Sequence, residues 1–165
     1  MDRVIRPATP GDADAICGFW NPMIRDTAVT FNPIEKTAAQ VAAMITGRQA
    51  DGHCFVVAEA AGVLMGFATC SQFRGGAGYA TCMEHTVIVA PSGQGRGLGR
   101  ALMTAVEDHA RQHGAHQMIA GVTGENPNAL AFHAACGYVQ IARIREAGFK
   151  FDRFMDLILL QKFLT

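Results

Sequence analysis

Three groups of residues have the types and spacing to do chemistry. The densest is Val87-Ile88-Val89-Ala90-Pro91-Ser92-Gly93-Gln94-Gly95-Arg96-Gly97-Leu98-Gly99-Arg100, where an apolar run passes through a short turn into alternating glycines. Glycines lack a Cβ and let backbone N–H groups approach an anion, and a helix N-terminus adds partial positive charge. Arg96 and Arg100 add formal charge, so the segment suits a pyrophosphate. Its spacing is not G-x-x-x-x-G-K-[ST], because no Lys-Ser/Thr follows. Nor is it G-x-G-x-x-G, because Leu98 and Arg100 fall where the third glycine belongs. What fits is Gln-x-x-Gly-x-Gly at Gln94, Gly97 and Gly99. The second group lies just upstream, where period-two alternation sets Glu84, Thr86 and Ile88 on one face and His85, Val87 and Val89 on the other. The third is Asn126 to Tyr138, with His133 inside a short helical stretch. His109 and His113 have i, i+4 spacing and His116 follows, but no H-E-x-x-H pattern accompanies them; they are expected on the surface, with no metal bound. Cys82 and Cys136 lack an activating context and are not expected to be nucleophiles.

The elements that position these groups follow from pattern. Val4-Ile5-Arg6 reads as a strand ending at Pro7. Thr9 and Pro10 open a helix with apolar residues at Ala13, Ile16, Cys17, Trp20 and Ile24. A second helix spans about Thr37 to Gly47, with Val41, Met44 and Ile45 inward. Cys54–Glu59 and Val63–Thr69 flank Ala60-Ala61-Gly62 as a hairpin. After the glycine-rich Arg74–Gly78 loop comes a long strand, Tyr79 to Val89. A helix follows from Leu98, a buried strand over Met118–Val122, and a short helix over Asn128–Cys136 that Gly137 ends. Strands at about Tyr138–Arg145 and Phe151–Leu160 complete the chain. The order is β-α-α-β-β-β-α-β-α-β-β, an α/β (α+β) fold with a mixed sheet flanked by helices.

The Gln94–Arg100 loop resembles the pyrophosphate loop of the GNAT superfamily of N-acetyltransferases. The resemblance narrows to the phosphinothricin and methionine sulfoximine acetyltransferase branch through Ile5-Arg6-Pro7-Ala8-Thr9, Trp20-Asn21, Thr30-Phe31, Glu84-His85-Thr86-Val87, His133 and Gly148-Phe149-Lys150-Phe151-Asp152-Arg153. Two departures stand out: Ala129 occupies a position where the branch usually has Ser, and the Arg74–Gly78 loop is less bulky. The resemblance implies the GNAT fold and direct transfer of an acetyl group from acetyl-CoA to a primary amine. It implies Glu84 as the base that deprotonates the amine, and His133, in place of the superfamily's usual Tyr, donating to the leaving sulfur or orienting the acetyl group. Val87, Ile88, Val89, Gln94, Gly95, Arg96, Gly97, Leu98, Gly99, Arg100 and Asn126 would hold the cofactor. Thr30, Phe31, Arg74, Thr81, His85 and Lys150 are candidates for the acceptor pocket, with Arg74 placed to pair with a carboxylate. A homodimer is implied by analogy alone.

Composition bounds these readings. The 165 residues suit one domain spanning 1–165 with a substantial core. Half are hydrophobic and 17% charged, and 14 Lys+Arg balance 14 Asp+Glu, which argues against disorder and against a nucleic-acid partner. No uncharged apolar run approaches the ~20 residues of a membrane span, and Met1–Pro7 shows no signal-peptide core, so a cytoplasmic enzyme is expected. The five scattered cysteines make a disulfide framework unexpected. The acceptor expected is the α-amino group of a small amino acid or analogue, of phosphinothricin, methionine sulfoximine or methionine sulfone type. A polyamine, aminoglycoside or protein N-terminus remains an alternative acceptor, and a non-catalytic acyl-CoA sensor an alternative class.

Overall fold

The structure, a computed structural model, describes residues 3–165; the expectation resting on Met1 and Asp2 lies outside them. Seven strands form one sheet: β1 (Arg3–Pro7), β2 (Phe55–Ala60), β3 (Val63–Gln72), β4 (Cys82–Val89), β5 (Gln117–Thr123), β6 (Val139–Lys150) and β7 (Arg153–Phe163). Their order across the sheet is β1-β2-β3-β4-β5-β7-β6. Every pairing is antiparallel except β4 with β5. Helices α1 (Ala13–Asp26) and α2 (Ala38–Ala50) pack Ile16, Trp20, Ile24, Val41 and Ile45 onto one face, against Phe55, Phe67 and Ile88. Helix α3 (Leu98–Gln112) buries Leu98, Leu102, Met103 and Val106 on the other, where α4 (Pro127–Ala135) also lies. The alternation read for β4 holds: Ile88 joins the first core, Val87 and Val89 pack against the second.

Local chemistry explains the boundaries. Thr37 caps α2 with a reciprocal bond pair to Gln40, so the helix begins one residue later than the periodicity suggests. β4 starts at Cys82 rather than Tyr79, because Ala77–Tyr79 winds into a 3-10 turn after Gly76 takes φ +105°. The largest correction is in the last hairpin. Phe151 and Asp152 adopt φ +54° and +56°, a two-residue turn of the primed type. That turn extends β6 to Lys150 and moves the start of β7 to Arg153, where the sequence suggested a strand beginning at Phe151.

The feature that matters most is a short pairing. β4 and β5 align only over Cys82–Glu84 with Gln117–Ile119. Beyond Glu84 the two strands diverge, and the sheet opens into a cleft at its centre.

Candidate active site

Glu84 is the last β4 residue with a partner on β5, Ile119, so its side chain stands at the fork. A cavity of about 240 Å³ fills the fork, with Trp20, Thr30, Glu84, Thr86, Gly121 and His133 in its wall. Gly121 makes room for the carboxylate: a Cβ there would stand 3.2 Å from Glu84 Oε1. Burial pushes the Glu84 carboxyl above its ordinary value, against a weaker opposing pull from the Arg48 guanidinium. A carboxylate raised in this way is a stronger base once ionised.

Opposite Glu84, two imidazoles form a buried pair. His133 is 4% exposed and His85 8%. His133 Nδ1 lies 2.7 Å from the Ala129 carbonyl oxygen, and its Nε2 lies 3.2 Å from His85 Nε2. A carbonyl accepts only, so His133 carries its proton on Nδ1, and its Nε2 accepts from His85 Nε2–H. His85 Nδ1 is then a buried acceptor with no partner among the described residues. Burial and the neighbouring His133 push His85 down to about 3, and burial lowers His133 as well. The pair is neutral, and each N–H is already engaged inside the protein. Tyr138 braces it edge-on, with centroids 5.7 Å from His85 and 5.4 Å from His133. The Tyr138 hydroxyl donates to Glu107, which Lys162 neutralises at 2.6 Å.

The glycine loop leaves the open end of β4. Gly95 and Gly97 take φ +73° and +74°, a region costly for residues with a Cβ. Gly97 begins α3 without a side-chain cap, so the first N–H groups of that helix are open to a ligand. Arg3 on β1 comes within 3.5 Å of the Arg96 carbonyl oxygen, and a Cβ on Gly97 would stand 2.8 Å from Arg3 Nη1. Gly99 serves packing instead: a Cβ there would meet the Phe132 ring at 3.1 Å. Uncapped amides, left-handed glycines and nearby arginines suit a diphosphate. The sequence profile of the acetyltransferase (GNAT) family matches residues 20–138.

The chain belongs to that family.

It is 35% identical to the L-amino acid N-acyltransferase MnaT of Escherichia coli K12 over 157 residues, covering 95% of this chain and 91% of the relative. It is 34% identical to the L-methionine sulfoximine/L-methionine sulfone acetyltransferase of Salmonella typhimurium, covering 95% and 92%. Among solved structures, the Salmonella typhimurium acetyltransferase yncA, determined with its cofactor acetyl-CoA, superimposes with a TM-score of 0.95 at 33% identity, covering 100% of this chain and 95% of that one. The seven-stranded mixed sheet is the GNAT fold, and this acetyltransferase uses acetyl-CoA.

The structure gathers some of the expected site residues of this GNAT enzyme and disperses others. Thr30, Glu84, His85, Val87, Ile88, Asn126 and His133 share the cavity wall. Asn126 uses its side-chain oxygen to cap α4 at Ala129 N, 3.0 Å away, which leaves its amide NH2 as a donor. Leu98 is buried in the core and offers a ligand only its backbone. Arg100 reaches the Ala135 carbonyl oxygen at 3.3 Å. Arg74 and Thr81 are exposed and outside the cavity wall; Arg74 lies 5.7 Å from the Tyr79 ring centre. Lys150, expected at the acceptor, is 4% exposed and donates to three carbonyl oxygens: Ile24 at 2.5 Å, Thr27 at 2.6 Å and Thr30 at 2.9 Å. It ties the last turn of α1 and the segment after it to the β6–β7 hairpin. Phe31 joins the same anchor, since its ring occupies the space where a Cβ on Gly148 would fall, 2.4 Å away. Gly121 and Arg48 were missed from the sequence. One is a glycine in an apolar strand, and the other a polar residue near a helix end, which reads as solvated.

Proposed function

We propose that this acetyltransferase moves the acetyl group of acetyl-CoA onto the α-amino group of a small amino acid or analogue, of the methionine sulfone, methionine sulfoximine or phosphinothricin type. The observation that carries the reading is Glu84, a desolvated carboxylate at the fork of the sheet, facing a cavity of about 240 Å³. That volume suits a small acceptor beside the thioester end of the cofactor. The named substrates of the two relatives support the same class.

Acetyl-CoA, when bound, supplies an acetyl thioester as the electrophile. An ammonium has no lone pair to attack with, so Glu84 takes its proton, directly or through one water. Past Glu84, the edge of β4 at Val87–Val89 has no β5 partner and offers backbone groups to an extended arm. The neutral His85–His133 pair adds no positive charge to repel an incoming ammonium. With Nδ1–H held by Ala129, His133 has no proton to spare for the sulfur, so of its two expected roles we assign the orienting one. As the C–N bond forms, the C–S bond breaks, and the departing thiolate takes up the second proton that the amine nitrogen loses.

The partner we assign is a second copy of this chain. β6 is an edge strand, and Val139, Ile141, Ile144, Phe149 and Phe154 are exposed along β6 and β7. An open apolar edge of this kind is covered in native assemblies. Balanced charge gives no basic footprint for nucleic acid. Among the described residues no helix is long and apolar enough to cross a membrane. Acetyl-CoA is an intracellular metabolite, and we place the enzyme in the cytoplasm, as one domain. The test is CoA release against a panel of phosphinothricin, methionine sulfoximine, methionine sulfone, ordinary amino acids, spermidine and kanamycin. Turnover confined to the amino-acid class is the expected result; preference for spermidine or kanamycin overturns the acceptor, and acetyl-CoA binding without turnover leaves a sensor.

A further inference from the structure

The cavity at Glu84 does not end at Trp20, Thr30 and Thr86. The same three residues wall a second cavity of about 200 Å³, which runs on toward Lys36, Arg48 and Thr69. Among the described residues no carboxylate lines this second space, and two cations do. The Lys36 ammonium sits 5.0 Å from the Trp20 ring centre. Arg48, in the last turn of α2, has a fully buried Nε–H with no acceptor among the described residues. Buried guanidinium donors in native proteins are normally satisfied, and an unmet one in a cavity wall marks where an acceptor belongs. The Thr69 hydroxyl, which donates to the Cys54 carbonyl oxygen at 2.7 Å, makes no bond to that Nε–H either.

The distance to the base suits one substrate class. Thr69, which shares the wall of this space with Arg48, pairs with Thr86, and Ser71 pairs with Glu84, so the strand floor of the space lies two residues along from Glu84. Two residues of strand span roughly 7 Å. An α-amino acid with a hydrogen bond of about 2.8 Å at both its amine and its carboxylate bridges groups separated on that scale. We propose that Arg48, assisted by Lys36, receives the carboxylate of the acceptor and thereby leaves its amino nitrogen at Glu84. The proposal rests on the amino-acid reading above and replaces Arg74 as the carboxylate partner, since Arg74 lies outside both cavities. A planar guanidinium fork matches a carboxylate bidentately, which a lysine does not.

The test compares wild type with Arg48→Gln and Arg48→Lys on L-methionine sulfone, its carboxamide, and L-norleucine. In wild type, kcat/KM for the carboxylate exceeds that for the carboxamide by about 30-fold or more, the scale of a lost charge-assisted pair. In Arg48→Gln that ratio falls below about 3-fold, with KM for acetyl-CoA within a factor of two, and Arg48→Lys retains part of it. The lysine variant carries the comparison where the glutamine variant does not fold. An unchanged carboxylate-to-carboxamide ratio overturns the proposal. So does a loss confined to the sulfone-to-norleucine ratio, which would assign Arg48 to the side-chain oxygens. Wild type that ignores all three compounds yet acetylates another amine overturns the amino-acid reading itself.

Discussion

Replacing Lys150 by Met tests what the buried lysine does. Methionine keeps most of the length and apolar bulk and removes all three donors. The carbonyls of Ile24, Thr27 and Thr30 would then face an apolar group where they now meet an ammonium at 2.5–2.9 Å. A hydrogen bond to a charged group contributes about 1.5–3 kcal/mol, and losing the desolvation cost of the ammonium offsets part of the sum. We expect a net loss of about 2–4 kcal/mol, or a Tm lower by roughly 5–15 °C for a chain of this size. The loosened segment includes Val29 and Thr30 in the acceptor wall and no part of the glycine loop. KM for the amino-acid acceptor should therefore rise about fivefold or more, with KM for acetyl-CoA within a factor of two, the scale of a misplaced contact. Calorimetry and steady-state kinetics on one preparation read both. An unchanged Tm with kcat/KM lost would return Lys150 to direct contact with the acceptor; no change in either would refute the anchor.

Three further outcomes follow from the site and its surroundings. Glu84→Gln should lower kcat by about 10²–10⁴-fold while KM for acetyl-CoA stays put, and the acidic limb of the pH–rate profile, set by deprotonation of a carboxyl above its ordinary value, should vanish. Gly97→Ala strains a residue at φ +74° and crowds Arg3, so KM for acetyl-CoA should rise about tenfold or more with the acceptor KM unchanged. The Arg6 guanidinium lowers the Asp12 carboxyl to about 2, so this pair's contribution is complete above the unfolded carboxylate value near ~4 and is lost as pH falls through about 2. Asp12→Asn should cost about 1–3 kcal/mol at neutral pH in denaturant melts and flatten stability over that acid window.

What was legible in the sequence was mostly local. The glycine loop declares itself because its φ requirements sit in consecutive residues, and period-two alternation gave the face of Glu84. The fork that makes Glu84 useful was not legible, since it arises from where β4 and β5 stop pairing across an intervening helix. Lys150 was expected at the acceptor, and its anchoring role was not legible because the carbonyls it binds lie 120 to 126 positions away. The Phe151-Asp152 turn was missed because two non-glycine residues adopt left-handed φ, which an aromatic rarely does. Arg48 gave no signal: a polar residue at the end of a helix needs no partner until the fold closes a cavity around it.

The fork has a mechanical consequence. Seven residue pairs join β3 to β4 and seven join β5 to β7, but only three join β4 to β5. The sheet is two panels, β1–β4 and β5–β7 with β6, sewn by a seam of three stitches at its centre. Partial opening begins where pairing is sparsest, so the amides of β4 and β5 that point across this seam should exchange ahead of those in the middle of β3. An extended arm bound along the fork lengthens the seam, and saturating cofactor should slow exchange on both panels together. The place where the molecule gives way most readily is also the place where it works.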